Sequence, residues 1–310
     1  MSQWLNLSLG VNSFYKAPED KLSDLNPYAV YGTTDLMGTG GDIIKLKRAS
    51  DNAEQNFTEA ELWGSAYDTF ASGTTTTVTM LYDQVAGASA SSNTHLEQVT
   101  ASSQPSLNSS SAKSLNFTGT NDFLNSPDIS TISDRPDFDG DITLATRFRS
   151  DTSSNTNYAN PLFTYYQADT AGALNFVSVH SSPHRQLTTQ NVSGDERFRA
   201  DDFGANIRVA QVDGGWVSTT RMDRSLVSIY TSQKNRTIHA SGFDAVNNTD
   251  DCGTISEGTI TRFGIGGWRV QSTFKAAQQD FSLSCSCIFD RALSSDDQAT
   301  LLSILDGLSV

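Results

Sequence analysis

Apolar residues in this chain come in short alternating runs, cut at close intervals by Gly, Asn, Asp and Ser. Alternation with a period of two places one set of side chains on a buried face and the other in water, and the turn residues bring each strand back beside another. The stretch Lys113 to Leu124, KSLNFTGTNDFL, shows the unit: Leu115 and Phe117 alternate, a turn follows at Gly119, and Phe123 and Leu124 resume the apolar face. Phe117 and Phe123 are therefore expected in the core. Runs with helical periodicity are few, so the expected fold class is all-β, an antiparallel β-sandwich with one wet face.

A chain of 310 residues can bury such a core without disulfide or metal staples. The expected division is an N-terminal arm over 1–27, serving as an assembly contact, and one sandwich over 28–310. The net charge of −14, with Lys and Arg scattered singly, argues against a nucleic-acid partner, which needs a basic stripe. No run of about eighteen apolar residues exists, so no membrane span is expected. The first fifteen residues, MSQWLNLSLGVNSFY, lack the basic and apolar regions of a secretory signal, which predicts a chain that is not exported that way. Of three cysteines, Cys285 and Cys287 are two apart in FSLSCSCIF and share a strand face as small core residues, without the spacing of a zinc site.

Several segments carry local expectations. Gly38, Gly40 and Gly41 in MGTGGD read as a hairpin turn, since no Gly-Lys-Ser/Thr and no helix follow as a phosphate loop requires. Ile44 and Leu46 alternate with Lys45 and Lys47, apolar inward and basic outward. Glu59 to Phe70 has the only early helical character. The Ser- and Ala-rich AGASASSNTHLEQVTASSQP reads as an exposed loop.

The phrases KLKRASDNAEQNF (45–57), TMLYDQ (79–84), SSQPSL (102–107) and LNFTGTNDFL (115–124) occur in an order that resembles the opening of a concanavalin A-like (LamG-like) domain of bacteriophage tail or virion proteins. They are also similar to the opening of the arabinofuranosidase catalytic domain. The resemblance implies a concanavalin A-like jelly roll. It also implies a virion protein (tail fibre, tail appendage or capsid surface), assembled in the host cytoplasm with other virion proteins as a homo-oligomer and binding host surface polysaccharide. A glycoside hydrolase of arabinofuranosidase type and a capsid decoration protein without ligand are the alternatives.

Downstream, DGDITLATRFRS (139–150) reads as a strand with NPLFTYYQ (160–167) as its partner, and SLVSIYTSQKNRTI as strand, turn and strand. The chain then reads RFGIGGW, FSLSCSCIF and a short C-terminal helix. Ser294 or Ser295 can cap that helix, Asp296 and Asp297 suit its first turn, and Leu301, Leu302 and Leu305 form one stripe, expected to lie across a sandwich edge.

Glycoside hydrolysis needs two facing carboxylates. Beyond residue 100 the only glutamates are Glu196, in the charged GDERFRADDFG, and Glu257. Asp201 and Asp202 beside Arg197 and Arg199 read as a solvated ion cluster on a loop, so no catalytic residue is assigned and a binding protein is expected rather than an enzyme. Sugar binding needs an aromatic platform with polar partners, which points to Trp216, after the turn at 213–215, and to Trp268 with Arg269. Asp137, Asp139 and Asp141 in PDFDGD offer hard oxygen ligands for calcium, the one cofactor considered. Asp83 and Asp122 are read as turn-fixing residues.

Overall fold

The computed structural model describes residues 21–87, 94–108, 112–118, 121–136, 140–150, 160–168, 174–183, 196–203, 207–213, 222–231, 235–240, 246–248, 260–270, 273–276 and 280–310. The first part holds β1 (Ala29–Gly32), β2 (Asp42–Arg48), β3 (Glu54–Thr58), α1 (Glu59–Leu62), α2 (Ser65–Phe70), β4 (Thr76–Leu81), β5 (Leu96–Glu97), β6 (Ser106–Leu107), β7 (Leu115–Thr118) and β8 (Leu124–Asn125). Long strands follow: β9 (Ile142–Ser150), β10 (Asn160–Ala168), β11 (Leu174–Pro183), β12 (Glu196–Phe203), β13 (Ile207–Asp213) and β14 (Met222–Thr231). The chain closes with β15 (Asn235–Ala240), β16 (Val246–Asn248), β17 (Ile260–Ile265), β18 (Gly267–Val270), β19 (Thr273–Ala276), β20 (Asp280–Phe289) and α3 (Ser295–Asp306).

Every pairing among these strands is antiparallel, and the pairings define two layers besides the separate β18–β19 hairpin. The front sheet runs β16, β15, β14, β9, β20, with β1 and β7 sharing the far side of β20. The back sheet runs β13, β12, β11, β10, β17, β8, β5, β4, β2, β3. β6 pairs with both β4 and β7 and so joins the two. This is the expected concanavalin A-like β-sandwich with a short C-terminal helix.

Two cores follow from the layering. Between the sheets lie Tyr31, Ile44, Leu46, Phe57, Leu115, Phe117, Leu144, Phe148, Phe163, Phe263 and Phe281, all fully buried. On the outer face of the front sheet a second core joins Val30, Ala145, Val227, Cys285, Cys287 and Phe289 to Leu301, Leu302, Ile304 and Leu305 of α3. Leu22 and Leu25 pack there as well, while residues 1–20 of the expected arm lie outside the described residues. β9 and β20 are thus buried on both faces, the pattern of a middle layer. Register shifts between Leu283 and Cys285, so that Phe281 and Leu283 face the inner core while Cys285, Cys287 and Phe289 face α3.

Local chemistry accounts for the helices. Thr58 and Glu61 form a reciprocal capping box at the start of α1. The Ser294 side chain accepts from the Asp297 N–H at the start of α3. That helix covers the front sheet's outer face, against β14 and β9, rather than an edge, because its buried stripe meets the outward apolar positions of four strands.

Other expectations are corrected. The Gly38–Gly41 segment connects the sheets instead of closing a hairpin, since β1 pairs with β20 while β2 pairs with β3 and β4. β9 does not pair with β10: it pairs with β14 and β20, and β10 pairs with β11 and β17, because the two strands belong to opposite sheets. The segment read as an exposed loop contributes β5 and buries Thr94, His95, Leu96 and Gln98. Phe117 is in the core as expected, whereas Phe123 is half-buried at the turn.

Candidate functional site

The buried polar groups of the first half are occupied in holding the fold. Asp83 Oδ1 accepts from the N–H groups of Val30 (3.2 Å) and Val85 (3.0 Å), and Oδ2 from the Thr94 hydroxyl (2.6 Å). Burial raises its pKa above the ordinary carboxylate value, against the opposing effect of those hydrogen bonds. The Asp83 N–H donates to His95 Nδ1 at 3.0 Å, so that nitrogen carries no proton, and Tyr31 donates to the Thr94 carbonyl at 2.6 Å. Gln84 reaches the 33–36 segment, accepting from Leu36 N–H (2.9 Å) and donating to the Thr34 carbonyl (2.8 Å).

The glycine-rich loop does cradle an anion, but the anion is its own. The Asp35 carboxylate accepts from the N–H groups of Gly38 (2.8 Å), Thr39 (3.2 Å) and Gly40 (2.7 Å). Asp122 Oδ2 accepts from the N–H and hydroxyl of Thr118, both at 2.9 Å, closing the turn after β7. Asp83 and Asp122 thus fix turns, as expected. Asp128 accepts from the N–H groups of Ser130 and Thr261.

The strand register defines a second surface, the outer face of the back sheet over β10 to β13. Phe163 is fully buried in the inner core, and the register carries that inner face through Val177 and Val179 to Phe198 and Ala200, then to Ala210 and Val212. The alternate positions form rows across the outer face. One row is Ser182, Arg197, Asp213; the next is His180, Arg199, Gln211; the third is Gly264, Thr164, Ser178, Asp201, Val209; and the fourth is Arg262, Tyr166, Phe176, Phe203, Ile207. Along β11 to β13 charged and polar positions thus dominate the two rows at one end, and aromatic positions the row at the other, which Arg262 of β17 joins. α3 packs on β14 and β9, and α1 packs on β3.

The segment read as a charged loop is therefore strand β12, and its carboxylates divide. Glu196 and Asp202 fall on inner-face positions and Asp201 on the outer face, because successive strand positions alternate. Asp201 and Asp213 share the outer face but are separated by four residues along the strand, on the order of 13 Å. Asp213, read from sequence only as part of a turn, ends β13 in the row with Arg197. Its place becomes visible only once β12 and β13 are paired.

Trp268 and Arg269 fall on β18, opposite Lys275 and Phe274 of β19, in a separate hairpin. This hairpin leaves β17 through Gly266, whose φ is +78°. A Cβ there would lie 2.7 Å from the Asp122 carbonyl and from the Phe117 ring, so the bend is packed against the turn after β7. The hairpin contacts β10. The ends of β9 (Ser150), β11 (Pro183) and β13 (Asp213), and the starts of β10, β12 and β14, gather at that same end of the sandwich. Trp216 lies outside the described residues, in the segment joining Asp213 to Met222. Asp137 and Asp139 also lie outside them. Asp141 precedes β9 at the opposite end, and among the described residues no group of three His, Cys, Asp or Glu side chains gathers to hold a metal ion.

No protein-family model and no curated protein matches the chain. Solved structures do. One is an arabinofuranosidase complexed with arabinofuranosyl-α-1,2-xylobiose, 14% identical, with a TM-score of 0.63, covering 90% of this chain and 62% of that one. Another is an α-L-arabinofuranosidase soaked with a cyclic sulfate inhibitor, 14% identical, with a TM-score of 0.62 and the same coverage. The chain thus shares its fold with these proteins and spans 62% of their length. The expectation of a binding protein rather than an enzyme is corrected by this finding, since structures sharing the fold over 90% of the chain are those of enzymes.

Proposed function

We propose that the chain is a glycoside hydrolase of arabinofuranosidase type, whose saccharide lies along the outer face of β10 to β13. The observation that carries this reading is the sorting of that face into rows, with Tyr166, Phe176 and Phe203 at one end and His180, Arg197, Arg199, Gln211 and Asp213 at the other. Stacking surface beside hydrogen-bonding and charged groups is the chemistry a sugar needs. Asp213 is the carboxylate position at the end where the Trp268 hairpin meets β10 and is assigned as one of the two carboxylates that the reaction needs. Support comes from the shared fold with an arabinofuranosidase holding an arabinofuranosyl-xylobiose.

The test is release of 4-nitrophenol from its α-L-arabinofuranoside, with binding of arabinosyl-xylobiose measured in parallel. Hydrolysis by the wild-type chain, lost by about a hundredfold or more in Asp213→Asn while binding persists, is the expected result. Neither hydrolysis nor binding by the folded wild-type chain would overturn the reading. A tailed-phage setting, with host-surface glycan as the substrate, is a separate proposal resting on the four ordered phrases. Detection of the chain at fixed copy number in purified particles is its test.

A further inference from the structure

The outer face of the back sheet continues past β10 into strands from the first half of the chain. Leu96, Leu124, Phe263 and Ile265 belong to the inner core, so Glu97, Asn125 and Gly264, which alternate with them, fall on the outer side. Register sets all three in the row that runs through Thr164, Ser178 and Asp201, because Glu97 pairs with Asn125, Asn125 with Gly264 and Gly264 with Thr164. From Glu97 to Asp201 this row crosses five strand spacings, about 24 Å. Gly264, Thr164 and Ser178 occupy its middle, and none of the three is a long residue. The β5 end of the row is polar and fixed in place. Glu97 is exposed, while Asn125 is half-buried, with Oδ1 enclosed and without a hydrogen-bond partner among the described residues. A buried acceptor left in that state is destabilising, and a donor placed beside it removes the cost. The backbone under both residues is clamped. Gln98 Nε2 donates to the Phe123 carbonyl (3.3 Å), Gln104 Nε2 to the Gln98 carbonyl (2.8 Å) and the Phe123 N–H to the Ser103 carbonyl (3.1 Å).

We propose that Glu97 and Asn125 form a second saccharide subsite, accepting from the hydroxyl groups of a sugar unit further along the oligosaccharide whose other end lies over β10 to β13. The inference rests on the saccharide reading of that face. Two acceptors held on a clamped backbone suit hydroxyl donors, since little ordering is left to be done on binding. The net charge of −14 disfavours an anionic ligand in the same place. Between the two ends, the positions of Gly264, Thr164 and Ser178 give the oligosaccharide a path across the strands. Only a ligand of several units can span that path, so the subsite selects for chain length.

The experiment uses the full chain and isothermal titration calorimetry with two probes, arabinosyl-xylobiose and a xylohexaose carrying one arabinofuranosyl branch. The wild-type chain should bind the longer probe about tenfold more tightly, because the second contact is made within one complex. That ratio should fall to about one in Glu97→Gln and in Asn125→Ala. Glu97 is exposed and Asn125 Oδ1 holds no partner among the described residues, so both variants should fold, which circular dichroism checks. Binding of the short probe with no gain for the longer one, or an undiminished ratio in either folded variant, overturns the second subsite and leaves the saccharide reading of the face standing. Binding of neither probe to the wild-type chain overturns both.

Discussion

Phe117 and Phe281 face each other directly across the pairing of β7 with β20, ring centroids 4.5 Å apart and planes within 4° of parallel. One ring belongs to the stretch that best displays the sandwich pattern in the sequence, the other to the central strand of the front sheet. Both are fully buried, so Phe281→Ala leaves a cavity that close-packed neighbours fill only in part. We expect a loss of about 3–5 kcal/mol in urea unfolding, and a smaller loss of about 1–2 kcal/mol for Phe281→Leu, which removes less volume but also the stacked ring. Equal effects of the two substitutions would show that the stacked pair is not tightly packed.

Asp83 makes stability depend on pH in a definite direction. Its native pKa is raised by burial, so the folded state holds the proton more tightly than the unfolded chain, whose carboxyl titrates near about 3.9. This group's contribution therefore declines as pH rises from about 4 through the raised native value, and stays at the lower level above it. Asp83→Asn keeps an acceptor for Val30 and Val85 and removes the titration. The wild-type urea midpoint, measured relative to the variant, should fall between acidic and neutral pH; a constant difference would contradict the raised value.

Glycines with the same backbone requirement should respond differently to alanine. Gly40 has φ +68° with nothing within 4 Å of an added Cβ, so Gly40→Ala should cost only the left-handed penalty, about 1–2 kcal/mol. At Gly266 the Cβ also meets the Asp122 carbonyl and Phe117 at 2.7 Å. Gly266→Ala should cost clearly more, measured by thermal unfolding. Under the proposed hydrolase reading it should also weaken arabinosyl-xylobiose binding, by moving the Trp268 hairpin.

Gln84 joins β4 to the 33–36 segment through two buried backbone groups. Gln84→Leu removes two buried hydrogen bonds and leaves the Leu36 N–H its 3.0 Å bond to the Thr34 carbonyl, so the expected cost is roughly 1–3 kcal/mol in all. Ser294→Ala, which removes only an exposed helix cap, should cost about 1 kcal/mol under the same conditions. Reversal of this order would assign the clasp a minor role.

What the sequence made readable was local. Leu115, Phe117, Ile44 and Leu46 announce buried faces by alternation, Ser294 announces a helix start, and Cys285 and Cys287 announce a shared face. Pairing was not readable, because β20 joins β9 across more than a hundred residues and nothing in either strand names the other. For the same reason the candidate saccharide face stayed hidden. His180, Arg199 and Gln211 fall in one row only after three strands are set in register, and the polar alternation of Glu196–Phe203 resembles a charged loop when its pairing is unknown. The clustering of Trp268 with the strand ends that flank Trp216 likewise depends on register.

The central position of β20 governs how such a chain can be made. Its two sides carry β9 on one and β1 with β7 on the other, so the strand formed from residues 280–289 is the keystone between segments synthesised long before it. Until it leaves the ribosome, β1, β7 and β9 expose unpaired edges and apolar faces, a state prone to aggregation and in need of chaperone protection. The sandwich should therefore fold only after residues 280–289 have been made, and slowly, as expected when contacts join distant parts of a chain. Ribosome-bound chains stalled before residue 280 should remain protease-sensitive throughout.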